Sequence, residues 1–267
     1  MNEFPENSVR EKSVPTIQSV ARALSIIDCI AKNNSQLGLT EIAKKVNLNK
    51  ATAYGLLNTL EQFQYVVLSP DSKKYELGIR LAELGLLVES NFDIRREARP
   101  FVDYLAGKYP CSVQIGIEAN GEIIYLLVSA SAEYALPAVC YVGLRAPCYC
   151  TGTGKAIIAQ WSPSRLEVYL AQNPLLPRTP NSITSQAKLL DELALIRAQG
   201  YAVDNEENQI GVVSYSAPVF NVEGDAVAAI SVGILSAKLT DKMRAEIIQD
   251  IKLCSKEISR KIGWKAV

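Results

Sequence analysis

Leu39-Thr40-Glu41-Ile42-Ala43-Lys44-Lys45-Val46-Asn47-Leu48-Asn49-Lys50-Ala51-Thr52-Ala53-Tyr54-Gly55-Leu56-Leu57-Asn58-Thr59-Leu60 decides how the front of this chain is read. Leu39–Val46 reads as a short helix: Thr40 serves as its cap, Glu41 suits the positive N-terminal end, and Lys44 and Lys45 suit the C-terminal end. Asn47-Leu48-Asn49 turns the chain, and Asn49 caps a further helix from Lys50 to about Phe63. Its apolar face is Ala53, Leu56, Leu57 and Leu60, while Lys50, Ala51, Tyr54, Gly55 and Asn58 lie opposite. Two short helices joined by a tight turn, the second opening on small residues, have the shape of a helix-turn-helix. Such a helix enters the major groove by its first residues, where small side chains permit close approach.

The flanks agree. Upstream, Val20, Ala23, Leu24, Ile27 and Ile30 form one stripe of a helix that follows Thr16 and ends at Asn33 and Asn34. Downstream, Tyr65–Leu68 and Lys73–Leu77 read as two strands joined through Ser69-Pro70-Asp71-Ser72, with Lys73 and Lys74 at the tip where a wing would meet phosphates. Between residues 10 and 80 there are ten Lys/Arg against six Asp/Glu. That excess is mild, and a three-helix bundle with a hairpin used for protein contacts would satisfy the same pattern.

Bulk composition narrows the rest. The chain has 267 residues, zero net charge and no histidine, which excludes Ser-His-Asp and Cys-His catalysis and His-ligated zinc. No apolar run is long enough to span a bilayer. Met1–Arg10 is polar and acidic with Pro5, unlike an export or transit signal, so residues 1–13 read as a disordered tail and the protein as cytoplasmic. Six scattered cysteines then read as reduced thiols, mostly in the core. Cys148-Tyr149-Cys150 offers two thiolates without histidine or a second pair, a poor tetrahedral set. Neither a metal nor a cofactor is expected.

Beyond a connecting helix at Arg80–Glu89, the chain alternates strands and helices. A helix at Ile94–Lys108 is stopped by Tyr109-Pro110, and strands at Cys111–Glu118 and Glu122–Ser129 flank the Asn120-Gly121 turn. Ala138–Val142 suggests another strand. Thr151-Gly152-Thr153-Gly154-Lys155 opens a helix to Gln160, Ser162-Pro163 the next, and Thr184–Ala198 a third, ended by Gly200. Strands at Tyr201–Asp204, Val212–Phe220 and Asp225–Leu235 precede a last helix capped by Thr240. An antiparallel sheet with helices at both ends is an α+β domain. The glycine turn before Lys155 is not a Walker A loop, since Tyr149 and Ala156 occupy positions that need glycine and Ser/Thr. It either exposes backbone N–H groups to an anion or lets a helix pack closely on a strand. Glu206 and Glu207 read as solvated or structural.

Several of these stretches resemble the IclR family of transcriptional regulators. They are Val14–Leu24, Leu39–Ala43, Asn49–Leu60 and Tyr75-Glu76-Leu77-Gly78, then Gly143–Pro147, Thr151–Ala156, Gly200–Glu207, Gly211, Ala217–Phe220 and Ala229–Val232. The resemblance implies a winged helix-turn-helix over residues 14–79, a linker helix over 80–92 and a GAF-like α+β effector-binding domain over 93–267. It assigns DNA contact to Arg22, Thr40, Asn49, Lys50, Ala51, Thr52, Tyr54, Asn58, Lys73 and Lys74. Ala51 stands where the family usually has serine, and Gly55 where it usually has arginine. It assigns effector contact to Ala135, Ala138, Tyr149, Gly152, Thr153, Asp204, Val212, Ser214, Ser231 and Gly233. The implied partners are double-stranded DNA carrying a near-palindromic operator, a small organic acid, and a second copy of the chain, with a dimer of dimers left open. The implied function is ligand-responsive regulation, expected to be repression, of genes for uptake or catabolism of that acid. The alternative is an enzyme acting on a small acid through Lys155, Asp204 or Cys148, with the helix-turn-helix as an appended contact module.

Overall fold

The computed structural model describes residues 16–33, 36–90, 93–131 and 140–265, so the expectations for the tail, Ala135 and Ala138 fall outside it. The chain divides into two compact units, residues 1–91 and 92–267.

The first unit contains α1 (Gln18–Ala31), α2 (Leu39–Lys45), α3 (Lys50–Gln62), a hairpin of β1 (Val66–Leu68) and β2 (Tyr75–Leu77), and α4 (Ile79–Ser90). Asn49 caps α3 as its sequence suggests: the side-chain oxygen accepts from Thr52 N–H at 2.8 Å. Asn47 enters the left-handed region at φ 52° so that Leu48 N–H can reach Ala43 C=O at 2.9 Å, which closes α2 and makes the turn tight. Thr40, in contrast, is not the cap of α2. Its cap lies two residues earlier, at Gly38, whose N–H is taken by the Glu41 carboxylate at 2.8 Å. The buried face of α1 overlaps the stripe read in the sequence only in part: Ala23, Ile27 and Ile30 pack on the core. Ile26 and Ile30 are fully buried with Ile42, Leu57 and Val66, whereas Val20 and Leu24 are exposed.

The second unit is three layers. Its sheet is antiparallel in the order β5-β4-β3-β8-β7-β6, where β3 is Ser112–Ala119, β4 Glu122–Ala130, β5 Arg145–Pro147, β6 Ala202–Asn205, β7 Val212–Phe220 and β8 Ala226–Leu235. Asn120 and Gly121, at φ 57° and 81°, make the β3–β4 turn. One face carries Val113, Ile115, Tyr215, Ala217, Ile230 and Val232 and is covered by α5 (Asp93–Lys108) and α9 (Asp241–Lys261). Fully burying each such aliphatic side chain stabilises by roughly 1.5–3 kcal/mol. The other face is covered by α6 (Gly152–Ile158), with α7 (Pro163–Gln172) and α8 (Gln186–Gln199) beyond it. Thr151, Ser162 and Thr240 cap α6, α7 and α9 through their hydroxyls.

The strand expected at Ala138–Val142 is corrected in its described part. Cys140–Val142 is not a strand; the chain turns at Gly143, φ 88°, and joins the sheet only at Arg145–Pro147, opposite Glu122–Ile124. Tyr141 and Val142 are exposed, so their apolar character did not mark a buried strand.

Candidate functional site

The first of two sites is the outer surface of α3 with the hairpin tip. Burial of Ala53, Leu57 and Leu60 against α1 and α2 turns Lys50, Ala51, Tyr54, Gly55 and Asn58 to solvent, Tyr54 at 51% exposure. Thr52 is half-buried, and its N–H donates to the Asn49 cap. Asn49 and Thr40 are exposed at the starts of α3 and α2, and Arg22 is half-buried on α1. Lys73 and Lys74 are exposed at the tip of the hairpin, and neither is ion-paired among the described residues. Lys73 sits at φ 55°, which lets its N–H reach Ser69 C=O at 3.0 Å and holds the tip in shape. A Cβ on Gly55 would meet nothing within 4 Å, so packing in this unit does not require glycine there.

The second site is a cavity of about 70 Å³ over the α6-side face of the sheet. At roughly 10–15 Å³ per water-sized group, it holds about five to seven such groups, the scale of a small organic molecule. Strand register assembles its floor. Ser112 on β3, Gly233 on β8, Ser214 on β7 and Asp204 on β6 are successive cross-strand neighbours; Gln114, Ser231 and Ser216 form the next row. Because side chains alternate across a strand, all of these point away from the apolar core on the α5/α9 side. A β-bulge between Ile115 and Gly116 pairs Leu127 with Ile115 and Tyr125 with Gly116. Leu127 therefore enters the core while Tyr125, two residues earlier, lines the cavity.

Of the residues the sequence suggested, Asp204, Val212, Ser214, Ser231 and Gly233 are brought together in this cavity. Gly152 and Thr153 lie just behind it. A Cβ on Gly152 would lie 2.6 Å from Ser216 Oγ and 2.8 Å from Ser214 Oγ, and one on Gly154 would lie 2.3 Å from Cys148 Cα. Gly152 thus allows close helix–strand packing, one of the two readings open for the turn, and Gly154 allows close approach to the backbone at Cys148. As the first residues of α6, Gly152 and Thr153 have N–H groups with no acceptor inside the helix. Tyr149 is elsewhere: it lines a separate cavity with Tyr169 and Asn173, and its hydroxyl donates to Leu176 C=O at 2.7 Å. Sequence reasoning missed Ser112, Gln114, Tyr125, Asn208 and Gln209 as lining residues. The available signal was Ser112-Val113-Gln114, where polar residues stand at the buried parity of a strand.

Asp204 is the one acid in the lining among the described residues, and no Lys or Arg joins it there. Its Oδ1 accepts from Glu207 N–H at 2.7 Å and Asn208 N–H at 3.3 Å. Burial pushes its carboxyl up to about 7 despite those bonds. Behind it, Lys155 is fully buried and paired with Glu207 at 2.5 Å and Glu192 at 3.4 Å. Glu207 is therefore structural and buried rather than solvated; desolvation raises its carboxyl, opposed by Lys155. Thr179 and Ser182 donate to the carbonyls of Glu206 and Glu207 at 2.7 and 2.6 Å, so the segment carrying Asn208 and Gln209 is pinned from both sides.

Among the described residues, neither Lys155 nor Cys148 is free to act as a nucleophile. Lys155 is locked in its ion pairs, and burial drives the Cys148 thiol well above its usual range. Among the described residues no helix is long and apolar enough to cross a membrane.

Comparison with known proteins places both units. The family model "IclR helix-turn-helix domain" matches residues 19–70, and "Bacterial transcriptional regulator IclR C-terminal" matches residues 87–260. The chain is 33% identical to the HTH-type transcriptional regulator XynR of Escherichia coli over 95% of its own length and all of that protein. Its structure is similar to that of the Thermotoga maritima IclR, with a TM-score of 0.76 at 33% identity over 93% of this chain and 100% of the other. The fold is shared by an IclR homolog from Microbacterium hydrocarbonoxydans complexed with 4-hydroxybenzoate, with a TM-score of 0.82 at 19% identity over 92% and 99% of the two chains.

Proposed function

The chain belongs to the IclR family of transcriptional regulators, and from that premise we propose that it represses genes for uptake or catabolism of a small organic acid, which it senses in the cavity at Asp204. It is a DNA-binding regulator and not an enzyme, as the family and the relatives are. In the proposal residues 14–79 are the DNA-binding domain, 80–92 the linker and 93–267 the effector domain, in a cytoplasmic protein. Lys50, Ala51, Thr52, Tyr54 and Asn58 face the major groove. Arg22, Thr40 and Asn49 meet the flanking backbone, and Lys73 and Lys74 meet phosphates beside the groove. Ile17, at the cap of α1, and Val20 and Leu24 on it leave an exposed apolar stripe, which supports pairing with a second copy, and hence a near-palindromic operator.

The observation that carries the sensing role is the cavity containing Asp204 and the Ser112, Gln114, Ser214 and Ser231 side chains, beside the N–H groups of Gly152 and Thr153. The 4-hydroxybenzoate held by the Microbacterium homolog supports an organic acid as the ligand class. Val212, Ser214, Ser231 and Gly233 complete the lining that meets the acid in this reading. Tyr149, which lines the neighbouring cavity with Leu176, has no part in this lining.

The reading has a pH signature. Asp204 is faced by Tyr125 of β4, Cys150 before α6, Lys155 of α6 and Glu207 of its own segment, and it titrates at about 7. An anionic ligand is accepted best while that carboxyl is protonated. The protonated fraction falls about tenfold between pH 6 and pH 8, so acid affinity should fall about tenfold over that range. Calorimetric titration of a panel of 2-oxo, hydroxy and aromatic acids at three pH values checks this, with Asp204→Asn expected to flatten the profile. Affinity that rises with pH, or an unaltered profile in Asp204→Asn, contradicts the proposed site.

A further inference from the structure

A buried sheet face is normally apolar, since hydroxyl and amide groups taken from water lose more than they return unless bonded. The α6-side face of β3, β8 and β7 instead carries Ser112, Gln114, Ser214, Ser216 and Ser231 in two adjacent cross-strand rows. Part of this set is self-satisfied: Ser216 donates to Ser231 at 2.9 Å, and the Gln114 amide nitrogen donates to Ser112 Oγ. Part is not. Gln114 is 7% exposed, and its amide oxygen has no protein partner among the described residues; the Ser214 hydroxyl has none either. Both line the cavity. The bond to Ser112 fixes the Gln114 amide nitrogen, and this leaves the oxygen as an acceptor with a set orientation.

We infer that Gln114 and Ser214, flanked by Ser112 and Ser231, form a hydroxyl-reading subsite, with Gln114 setting specificity, so that the effector is a short carboxylic acid bearing hydroxyls along its carbon chain. The inference rests on the reading of this cavity as the effector site and adds which acids it takes. The volume of about 70 Å³ suits a short chain, and the acceptor and hydroxyls along its floor match donors spaced along such a chain. An alkyl or aryl acid of the same size would leave the Gln114 oxygen and the Ser214 hydroxyl dry and unpaired. A site built to bond a ligand hydroxyl rejects the analogue that lacks it far more strongly than an apolar pocket rejects an extra one.

The test uses the full-length protein and pairs of acids matched in carbon number: glycerate against propionate, threonate against butyrate, and gluconate against hexanoate, with benzoate as the aromatic arm. Calorimetry on the wild type should favour the hydroxylated member of at least one pair by tenfold or more. Gln114→Leu, and Gln114→Met as the variant closest in length, should bring that ratio within about threefold, chiefly by weakening the hydroxylated member. Thermal melting verifies that each variant is folded. Butyrate, hexanoate or benzoate binding as well as the hydroxylated acids overturns the subsite while leaving an acid effector in place. A wild-type preference that survives both substitutions removes Gln114 from the role. Binding of none of the acids overturns the subsite and the acid reading together.

Discussion

Replacing Lys155 by methionine should destabilise the second unit by about 3–5 kcal/mol, the range for breaking a buried ion pair by removing one partner. At roughly 2–4 °C per kcal/mol for a unit of this size, that is a fall of about 10 °C in its melting temperature. The cause lies in what remains. Glu207 is 7% exposed, one of its oxygens is already unpartnered, and the one cation paired with it among the described residues would be gone. Glu192, at 28% exposure, can turn to water; Glu207 cannot. The sign of the pH dependence follows. Burial raises the Glu207 carboxyl already, and loss of Lys155 raises it further. A carboxyl raised in the folded state costs stability as pH climbs above its unfolded value, so the deficit should grow from pH 5 to pH 8. Lys155→Met with Glu207→Leu should recover most of the loss, because an apolar pair of similar volume is often neutral in place of a buried salt bridge. Equal destabilisation in the single and double variants would show that the ion pair is not what Lys155 supplies.

On the DNA side, Lys73→Ala with Lys74→Ala should weaken operator and random DNA alike and flatten the salt dependence. Each phosphate contact contributes about 0.9 to the slope of log affinity against log salt, so losing both lysines should lower it by about 1.8 per protomer. Thr52→Ala or Tyr54→Ala should act differently: removing a side chain of α3 that reads a base edge costs about 1–3 kcal/mol of discrimination and little of the affinity for random DNA. Anisotropy titrations at several salt concentrations separate the two effects. A lysine pair that altered only sequence preference would remove the hairpin from its role as a wing.

The helix-turn-helix was legible because its signals are local. Asn49, Asn47 and the Ala53/Leu57/Leu60 spacing act within a few residues, and the structure uses them as read. Local signals with two solutions were read less well. Thr40 and Gly38 could each start α2, and the Glu41 carboxylate bonding Gly38 N–H settles the choice. On α1 the stripe read in the sequence is buried at Ile30 and half-buried at Ala23 and Ile27, whereas Val20 and Leu24 are exposed and Ile26, outside the stripe, is fully buried, an outcome that packing within this unit decides.

The cavity was half legible. Asp204, Ser214 and Ser231 came from a resemblance, whereas Ser112 and Gln114 join them through the β3–β8 register, a pairing across more than one hundred residues that no short pattern encodes. Tyr125 depends on a bulge, and a single displaced residue reverses the face on which a side chain falls. Tyr149 lies close in sequence to the cavity's wall but points into the neighbouring space, because the 3₁₀ turn Cys148–Cys150 directs its ring toward Leu176.

The central claim is that occupancy of this cavity alters grip on DNA, and one titration addresses it. Labelled DNA from upstream of the protein's own gene is titrated with full-length protein, with and without an acid held at about 100 times its dissociation constant. The comparison protein is Gly233→Leu. A Cβ at Gly233 meets its neighbours only at ordinary distances, 3.8 Å or more, so leucine can fill the cavity without forcing the sheet apart. Ligand coupling typically changes affinity about 5- to 150-fold, so the wild type should show a change of at least fivefold. Gly233→Leu should bind the DNA as the ligand-free wild type does and ignore the acid. A wild type that binds the acid yet holds DNA equally well, or a filled variant that responds as strongly as the wild type, would contradict the account.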